Sequence, residues 1–187
     1  MKKIILFASG SGTNAEKIIK HCQENNKIEV VRVYTNNPIA QVIERANNLN
    51  VPIEVFSRTE FNEGQVLDKV TNDAPDLIVL AGFLWKFPES IIKVFPNKVI
   101  NIHPALLPKY GGKGMYGMNV HQAILENKEK ETGITIHYVN ENYDEGAIIF
   151  QKSVSIEDCN TAEAIAHKIH LLEHQYFPEV IESLLTT

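Results

Sequence analysis

The stretch Ile4-Ile5-Leu6-Phe7-Ala8-Ser9-Gly10-Ser11-Gly12-Thr13-Asn14-Ala15 sets the architecture. Five apolar residues with no polar alternation read as a short strand covered on both faces. The run is too short for a signal-peptide core or a membrane span, so the protein is expected to be cytoplasmic. A helical stripe follows, with Ala15, Ile18, Ile19 and Cys22 on one face. Between them, Gly10-x-Gly12-x-x-Ala15 fits the G-x-G-x-x-A pattern. Glycines let backbone N–H groups approach an anion, and the helix N-terminus adds partial positive charge. Ser11 and Thr13 add hydroxyl donors. The plainer reading is a polar turn with Thr13 or Asn14 as helix N-cap.

A dinucleotide would also need an acidic residue about 20 positions on, to hold the ribose hydroxyls. The second strand ends Tyr34-Thr35-Asn36-Asn37-Pro38 and offers none. A monophosphate is the better ligand, and hydride transfer the weaker hypothesis.

Outward from this unit the pattern repeats. Val30–Thr35, Ile53–Phe56, Leu77–Leu80 and Val99–His103 are short, β-branched and apolar. Helical stripes lie between them: Ile39, Val42, Ile43, Ala46 and Leu49, then Val66, Leu67 and Val70. Strand–helix alternation predicts an α/β fold with a parallel, right-handed, doubly wound sheet. Residues 104–119 hold Gly111, Gly112, Gly114 and Gly117 in a long loop, of the kind that carries function in such folds. A short helix over His121–Asn127 comes next. The strands Gly133–Val139 and Ala147–Val154 are close enough for a hairpin, which adds antiparallel strands. Thr161 caps a last helix, with Glu163 in its first turn. No repeat or linker interrupts residues 1–187, which predicts one domain.

Composition agrees. The chain has 187 residues, 44% hydrophobic and 22% charged, with 18 basic against 23 acidic side chains and a net charge of −5. That excludes disorder and argues against a nucleic-acid binder driven by counterion release. Cys22 and Cys159 are too far apart for a CxxC pair and are expected as reduced thiols.

Several residues are candidates for chemistry. Asn101 and His103, in Asn101-Ile102-His103-Pro104, share a strand face at the sheet's carboxyl edge, where open α/β sheets bind ligands. A carboxamide beside an imidazole makes an oxyanion site and a proton carrier. Asp144 lies in a glycine-containing turn. Turns favour Asp for local bonding, but a carboxylate beside His103 would raise the imidazole pKa and keep it protonated. His167, His170 and His174 can share a helix face, yet the spacing lacks an H-E-x-x-H core, and no metal is expected. His21, His121 and His137 are scattered, with no ligand spacing. Trp85, in Ala81-Gly82-Phe83-Leu84-Trp85-Lys86-Phe87, is either core or the wall of a flat heterocycle site.

Together these residues resemble the glycinamide ribonucleotide formyltransferases. The resemblance rests on Ser9–Asn14, on Ala74-Pro75-Asp76-Leu77-Ile78-Val79-Leu80-Ala81-Gly82-Phe83, and on Asn101-Ile102-His103-Pro104-Ala105-Leu106-Leu107-Pro108-Lys109-Tyr110. Asp144 and Glu173-His174 extend it. It implies a single Rossmann-like domain with a mixed, mostly parallel seven-stranded sheet and helices on both faces. The phosphate- and ribonucleotide-binding half would span about residues 1–100, and the folate-binding and catalytic half about 101–187. It implies 10-formyltetrahydrofolate as co-substrate, phosphoribosylglycinamide as acceptor and no metal. The partners would be small molecules, with no nucleic acid or membrane, and the state monomer or homodimer. Asn101, His103 and Asp144 match the family's catalytic trio. Gly12, Thr13 and Asn14 match its phosphate site, and Glu173 its contact to the glycinamide end. Leu84, Trp85, Lys86 and Phe87, with Asn101, Asn140, Glu141 and Tyr143, match the folate site, and Arg58 matches an upstream arginine that contacts folate. The loop after Tyr110 is longer than the family's commoner version. Asn119 stands where histidine is frequent, and Trp85-Lys86 replaces an Arg-aliphatic pair.

Three rivals remain. A methionyl-tRNA formyltransferase carries a further C-terminal domain and a basic surface. A formyltetrahydrofolate hydrolase carries an N-terminal regulatory domain. Length disfavours both, and the phosphate loop also counts against the hydrolase. A non-catalytic nucleotide sensor on the same fold would tolerate loss of His103 and Asp144.

Overall fold

The computed structural model describes all residues, 1–187. Its strands are β1 (Lys2–Phe7), β2 (Ile28–Thr35), β3 (Ile53–Val55), β4 (Leu77–Leu80), β5 (Val99–His103), β6 (Glu131–Tyr138) and β7 (Ile148–Ser155). They form one sheet in the order β3-β2-β1-β4-β5-β6-β7. The first five are parallel, and β6 and β7 join antiparallel. The helices are α1 (Thr13–Asn25), α2 (Val42–Asn48), α3 (Arg58–Asn62), α4 (Gln65–Asp73), α5 (Glu89–Val94), α6 (Met118–Glu126) and α7 (Ala162–Thr186).

The period of two along β1 explains how the sheet is covered. Ile4 and Leu6 enter one core, shared with Ile18 of α1 and Ile165 and Ile169 of α7. Ile5 and Phe7 enter a second, with Val66 and Val70 of α4 and Ile91 of α5. Each fully buried Ile or Phe contributes about 1.5–3 kcal/mol of transfer free energy. Strand order reverses between β1 and β4, so their carboxyl ends open a crevice at the switch point.

Some local expectations need correction. Neither Thr13 nor Asn14 caps α1. Gly12 is the N-cap, at φ 72°, and no side chain accepts there. Ile39 is 88% exposed and outside α2, because the turn at Pro38–Ile39 delays the helix. Helix α6 begins at Met118, three residues before His121. The short helices α3 and α5 had no periodic stripe long enough to announce them; Ser57 and Glu60 close a full capping box on α3. Thr161 accepts from the Ala164 amide as expected.

Candidate active site

One cavity of about 600 Å³ opens at the switch point. Gly12, Thr13, Asn14, Leu84, Trp85, Lys86, Phe87, Asn101, His103, Asn140, Glu141, Tyr143, Asp144 and Glu173 all line it. Arg58 does not. Its guanidinium lies 3.7 Å from the centroid of the Trp85 ring, so it reaches the cavity only through that ring. Trp85 is therefore both core and wall. It packs on Phe56 and Phe61 and borders the cavity.

The glycine loop is held from behind. The Val42 amide donates to the Gly10 carbonyl at 3.2 Å, and Arg45 Nε donates to the Ser11 carbonyl at 2.7 Å. Arg45 also pairs with Glu16 of α1. The carbonyls thus turn toward α2, while the amides of Gly10, Ser11 and Gly12 donate to no other backbone group. Only glycine fits at Gly12, because a Cβ there would lie 2.4 Å from Val42 Cγ2. With α1 starting at Thr13, the loop is a ready anion cradle. Its far wall is α7, where Asn14 Nδ2 donates to Glu173 Oε2 at 2.9 Å. Burial pushes the Glu173 carboxyl up to about 7, and the Asn14 bond offsets this only in part.

At the other end, Ile100 and Ile102 of β5 enter the larger core, leaving Asn101 and His103 on the opposite face. Strand β6 repeats this with Ile134 and Ile136 in that core. Its antiparallel register sets His137 against Asn101 and Thr135 against His103. Asn101 Nδ2 lies 3.2 Å from His137 Nε2. His137 Nδ1 lies 2.9 Å from the Tyr138 carbonyl, which can only accept, so the proton of a neutral ring sits on Nδ1. Nε2 then accepts from Asn101.

The same logic fixes His103. Its Nε2 donates to the Tyr110 carbonyl at 2.7 Å, leaving Nδ1 to face Asp144 Oδ2 at 3.6 Å. Tyr110 holds φ 57°, an uncommon backbone for an aromatic residue, and presents that carbonyl. Asp144 Oδ1 lies 3.6 Å from His137 Nε2, and Oδ2 accepts from the Gly112 amide at 3.0 Å. Both 3.6 Å separations are too long for hydrogen bonds.

Asn101, His103 and Asp144 therefore converge, but the expected charge state of His103 is corrected. Burial lowers its pKa below the ordinary value; Asp144 and the Tyr110 carbonyl offset that only in part. The ring is therefore neutral near pH 7. Burial pushes the Asp144 carboxyl up. His137, His103 and the Gly112 amide outweigh it and hold Asp144 below the usual range.

Sequence reasoning missed His137. Alternation with Ile134 and Ile136 places it on the polar face of β6, but the register that brings it to Asn101 is set only by folding. His121 and His170 also line the cavity unannounced. His170 and His174 stack at 6.2 Å, His167 is exposed on the same helix, and no His, Cys, Asp or Glu grouping is arranged for a metal ion. Cys22 and Cys159 are free thiols.

An anion cradle opposite a carboxamide–imidazole–carboxylate cluster, on this sheet, defines a group-transfer enzyme. The chain belongs to the formyl transferase family, whose model matches residues 2–181. It is similar to phosphoribosylglycinamide formyltransferase of Bacillus subtilis, at 35% identity over 99% of this chain and 95% of the relative. It is also similar to the chloroplastic enzyme of that name from Arabidopsis thaliana, at 35% identity over 98% of this chain; there it spans 65% of the relative's length. The crystal structure of glycinamide ribonucleotide transformylase 1 from Geobacillus kaustophilus superposes with a TM-score of 0.90. It is 34% identical, and the match covers 99% of each chain. No helix of this chain is long and apolar enough to cross a membrane.

Proposed function

We propose that this chain transfers the formyl group of 10-formyltetrahydrofolate to the amine of 5'-phosphoribosylglycinamide, giving the N-formyl product and tetrahydrofolate. This is a step of purine synthesis, carried out in the cytoplasm by a monomer or homodimer that uses no metal. The observation that carries the reading is one continuous cavity lined both by the glycine loop at Gly10–Asn14 and by His103, Asn101 and Asp144.

The phosphate sits on the Gly12–Asn14 amides, with Glu173 toward the glycinamide end. The pteridine lies between Leu84–Phe87 and the Asn140–Asp144 segment, with Arg58 acting through Trp85. The amine attacks the formyl carbon, a new N–C bond forms, and negative charge develops on the formyl oxygen. Asn101 keeps one Nδ2 hydrogen bonded to His137 and turns the other to that oxygen. His103 starts neutral and takes up the amine's proton at Nδ1, directly or through water. Asp144 stabilises the imidazolium as it forms. The C–N10 bond then breaks, and the proton passes to N10 of the folate.

The test is a spectrophotometric assay of deformylated folate with purified protein and both substrates, without added metal. His103→Ala and Asp144→Asn are each expected to lower kcat at least about 100-fold. Folate deformylation at the same rate without the ribonucleotide would instead mark a hydrolase. Retained phosphate-ester binding with no turnover in the wild type would mark a sensor.

A further inference from the structure

The mechanism above leaves one buried group of the cavity unused. His121, in the first turns of α6, is only 3% exposed, yet its ring lines the cavity; its Nδ1 is sealed without a hydrogen-bond partner, and its Nε2, which bonds no protein group, is the nitrogen that reaches the cavity. A buried polar nitrogen without a partner costs stability and calls for a reason. Its neighbours locate it. Helix α6 packs on α7, and His121 lines the same cavity as His170 of α7 and His103 of β5. His170 is one turn before Glu173, which Asn14 bonds from the phosphate loop. His121 thus shares one cavity with Asn14 and Glu173 beside the phosphate loop and with His103 of the reacting centre.

We infer that His121 is a substrate-binding residue whose imidazole hydrogen-bonds a ribose hydroxyl of the acceptor. The inference rests on the ribonucleotide reading of the site. The chemistry selects a hydroxyl over the other groups a ribonucleotide offers. Burial, with His170 and His103 adding to it, lowers the His121 pKa to about 4, so the ring stays neutral. A neutral imidazole has one donor and one acceptor nitrogen and matches a hydroxyl, which is also both. A phosphate would favour a charged ring, which this position resists, and the loop amides already serve that group. In the proposed function Leu84–Phe87 and Asn140–Asp144 already serve the pteridine.

Steady-state kinetics of His121→Phe and His121→Gln, each against both substrates, test the inference. Phe keeps the ring's bulk without its nitrogens, and Gln restores a donor and an acceptor. For His121→Phe, KM for the ribonucleotide is expected to rise about 10-fold to 100-fold, with kcat and KM for the formyl-folate little changed. His121→Gln recovers part of that loss. A deoxyribose analogue of the acceptor loses a similar factor with the wild type and almost nothing with His121→Phe. Unchanged ribonucleotide KM in a folded His121→Phe, equal discrimination against the analogue, or a rise confined to the folate KM would each overturn the inference.

Nitrogen NMR of the ¹⁵N-histidine-labelled wild type decides the matter even if the variants do not fold. Ribose 5-phosphate is expected to move the His121 nitrogen resonances, and inorganic phosphate to leave them in place; no response to the sugar phosphate overturns the inference. A wild type that fails to formylate the ribonucleotide rejects the proposed function. One that formylates it with a silent His121 rejects this inference alone.

Discussion

Asn101 and His137 stand directly opposite each other on β5 and β6, and the Asn101 amide nitrogen donates to His137 Nε2 across 3.2 Å. An amide rotates freely about its last bond unless something fixes which end carries the hydrogens. His137 does so, because its Nδ1 proton is committed to the Tyr138 carbonyl and only a lone pair is left to face Asn101. On the proposed function His137 is thus a positioning residue, acting on the oxyanion through Asn101. His137→Phe is expected to lower kcat about tenfold to hundredfold. Loss of the amide itself in Asn101→Ala should cost more, about 100-fold to 1,000-fold. KM for both substrates should stay near the wild-type value in His137→Phe. The double variant should be little worse than Asn101→Ala, since both act on one donor; additive losses would mean that His137 acts by another route.

Gly12 makes a second prediction. Its φ of 72° and the 2.4 Å approach of Val42 Cγ2 to any added Cβ leave alanine no comfortable place. Gly12→Ala pays about 1–2 kcal/mol for the left-handed backbone, and α2 must move as well. Because the Val42 amide also holds the Gly10 carbonyl, that movement distorts the cradle. KM for the ribonucleotide is expected to rise at least about tenfold, with a smaller change in KM for the formyl-folate. Equal changes in both would show that the loop does not hold the phosphate end.

Arg45 supports the same loop from solvent, through Ser11 and Glu16. Its guanidinium touches no cavity residue except through that carbonyl. Arg45→Met is therefore expected to raise the ribonucleotide KM a few-fold, with kcat unchanged and a melting temperature near the wild type. Arg45→Lys should not restore it, since a lysine cannot bond the carbonyl and pair with Glu16 in the same fork geometry. A fall in kcat alone would place Arg45 in the chemistry instead.

What the chain discloses before folding divides by distance along it. Strand β1, the glycine loop and α1 are contiguous, so their apolar spacing and turn chemistry state a buried interior strand and the glycine turn into the helix together. Asn101 and His103 were legible as a face because alternation is local. The link from His137 to Asn101 was not, since it depends on the register of two strands 36 positions apart. The His103 charge state failed for a related reason. A nearby carboxylate can be guessed from a motif, but the burial that outweighs it comes from the whole packed site. Matching Arg58 by position could not show that its guanidinium stacks on Trp85, a wall of the cavity.

Glu173 carries a pH signature. Its carboxyl is raised to about 7 by burial, with the Asn14 bond opposing. Above that pH it is a carboxylate that accepts from Asn14 and, on the proposed function, from the ribonucleotide; below it, protonation removes part of that capacity. The ratio of kcat/KM for wild type over Glu173→Gln is expected to be flat at pH 8–9 and to fall as pH drops through about 7. Taking the ratio cancels the titration of the substrate amine. A ratio constant from pH 6 to 9 would show that the Glu173 charge plays no part in binding.

His121 makes the final prediction, one of stability. Its pKa is about 4 in the fold against an ordinary value of 6.5, with burial the leading cause. The unfolded chain therefore binds a proton at this position more readily than the native one. Stability is complete above pH 6.5, is lost progressively as pH falls, and levels off below about 4. A shift of this size corresponds to about 3 kcal/mol. His103, His170 and His174 are lowered as well and add to the same limb, so the contribution of His121 must be isolated. Urea midpoints of wild type and His121→Phe between pH 7.5 and 4 do this. The wild type should lose more stability on acidification than the variant. The gap should open between pH 6.5 and 4 and not above it. Parallel curves over the whole range would mean that His121 accepts a proton as easily in the native protein as in the unfolded chain.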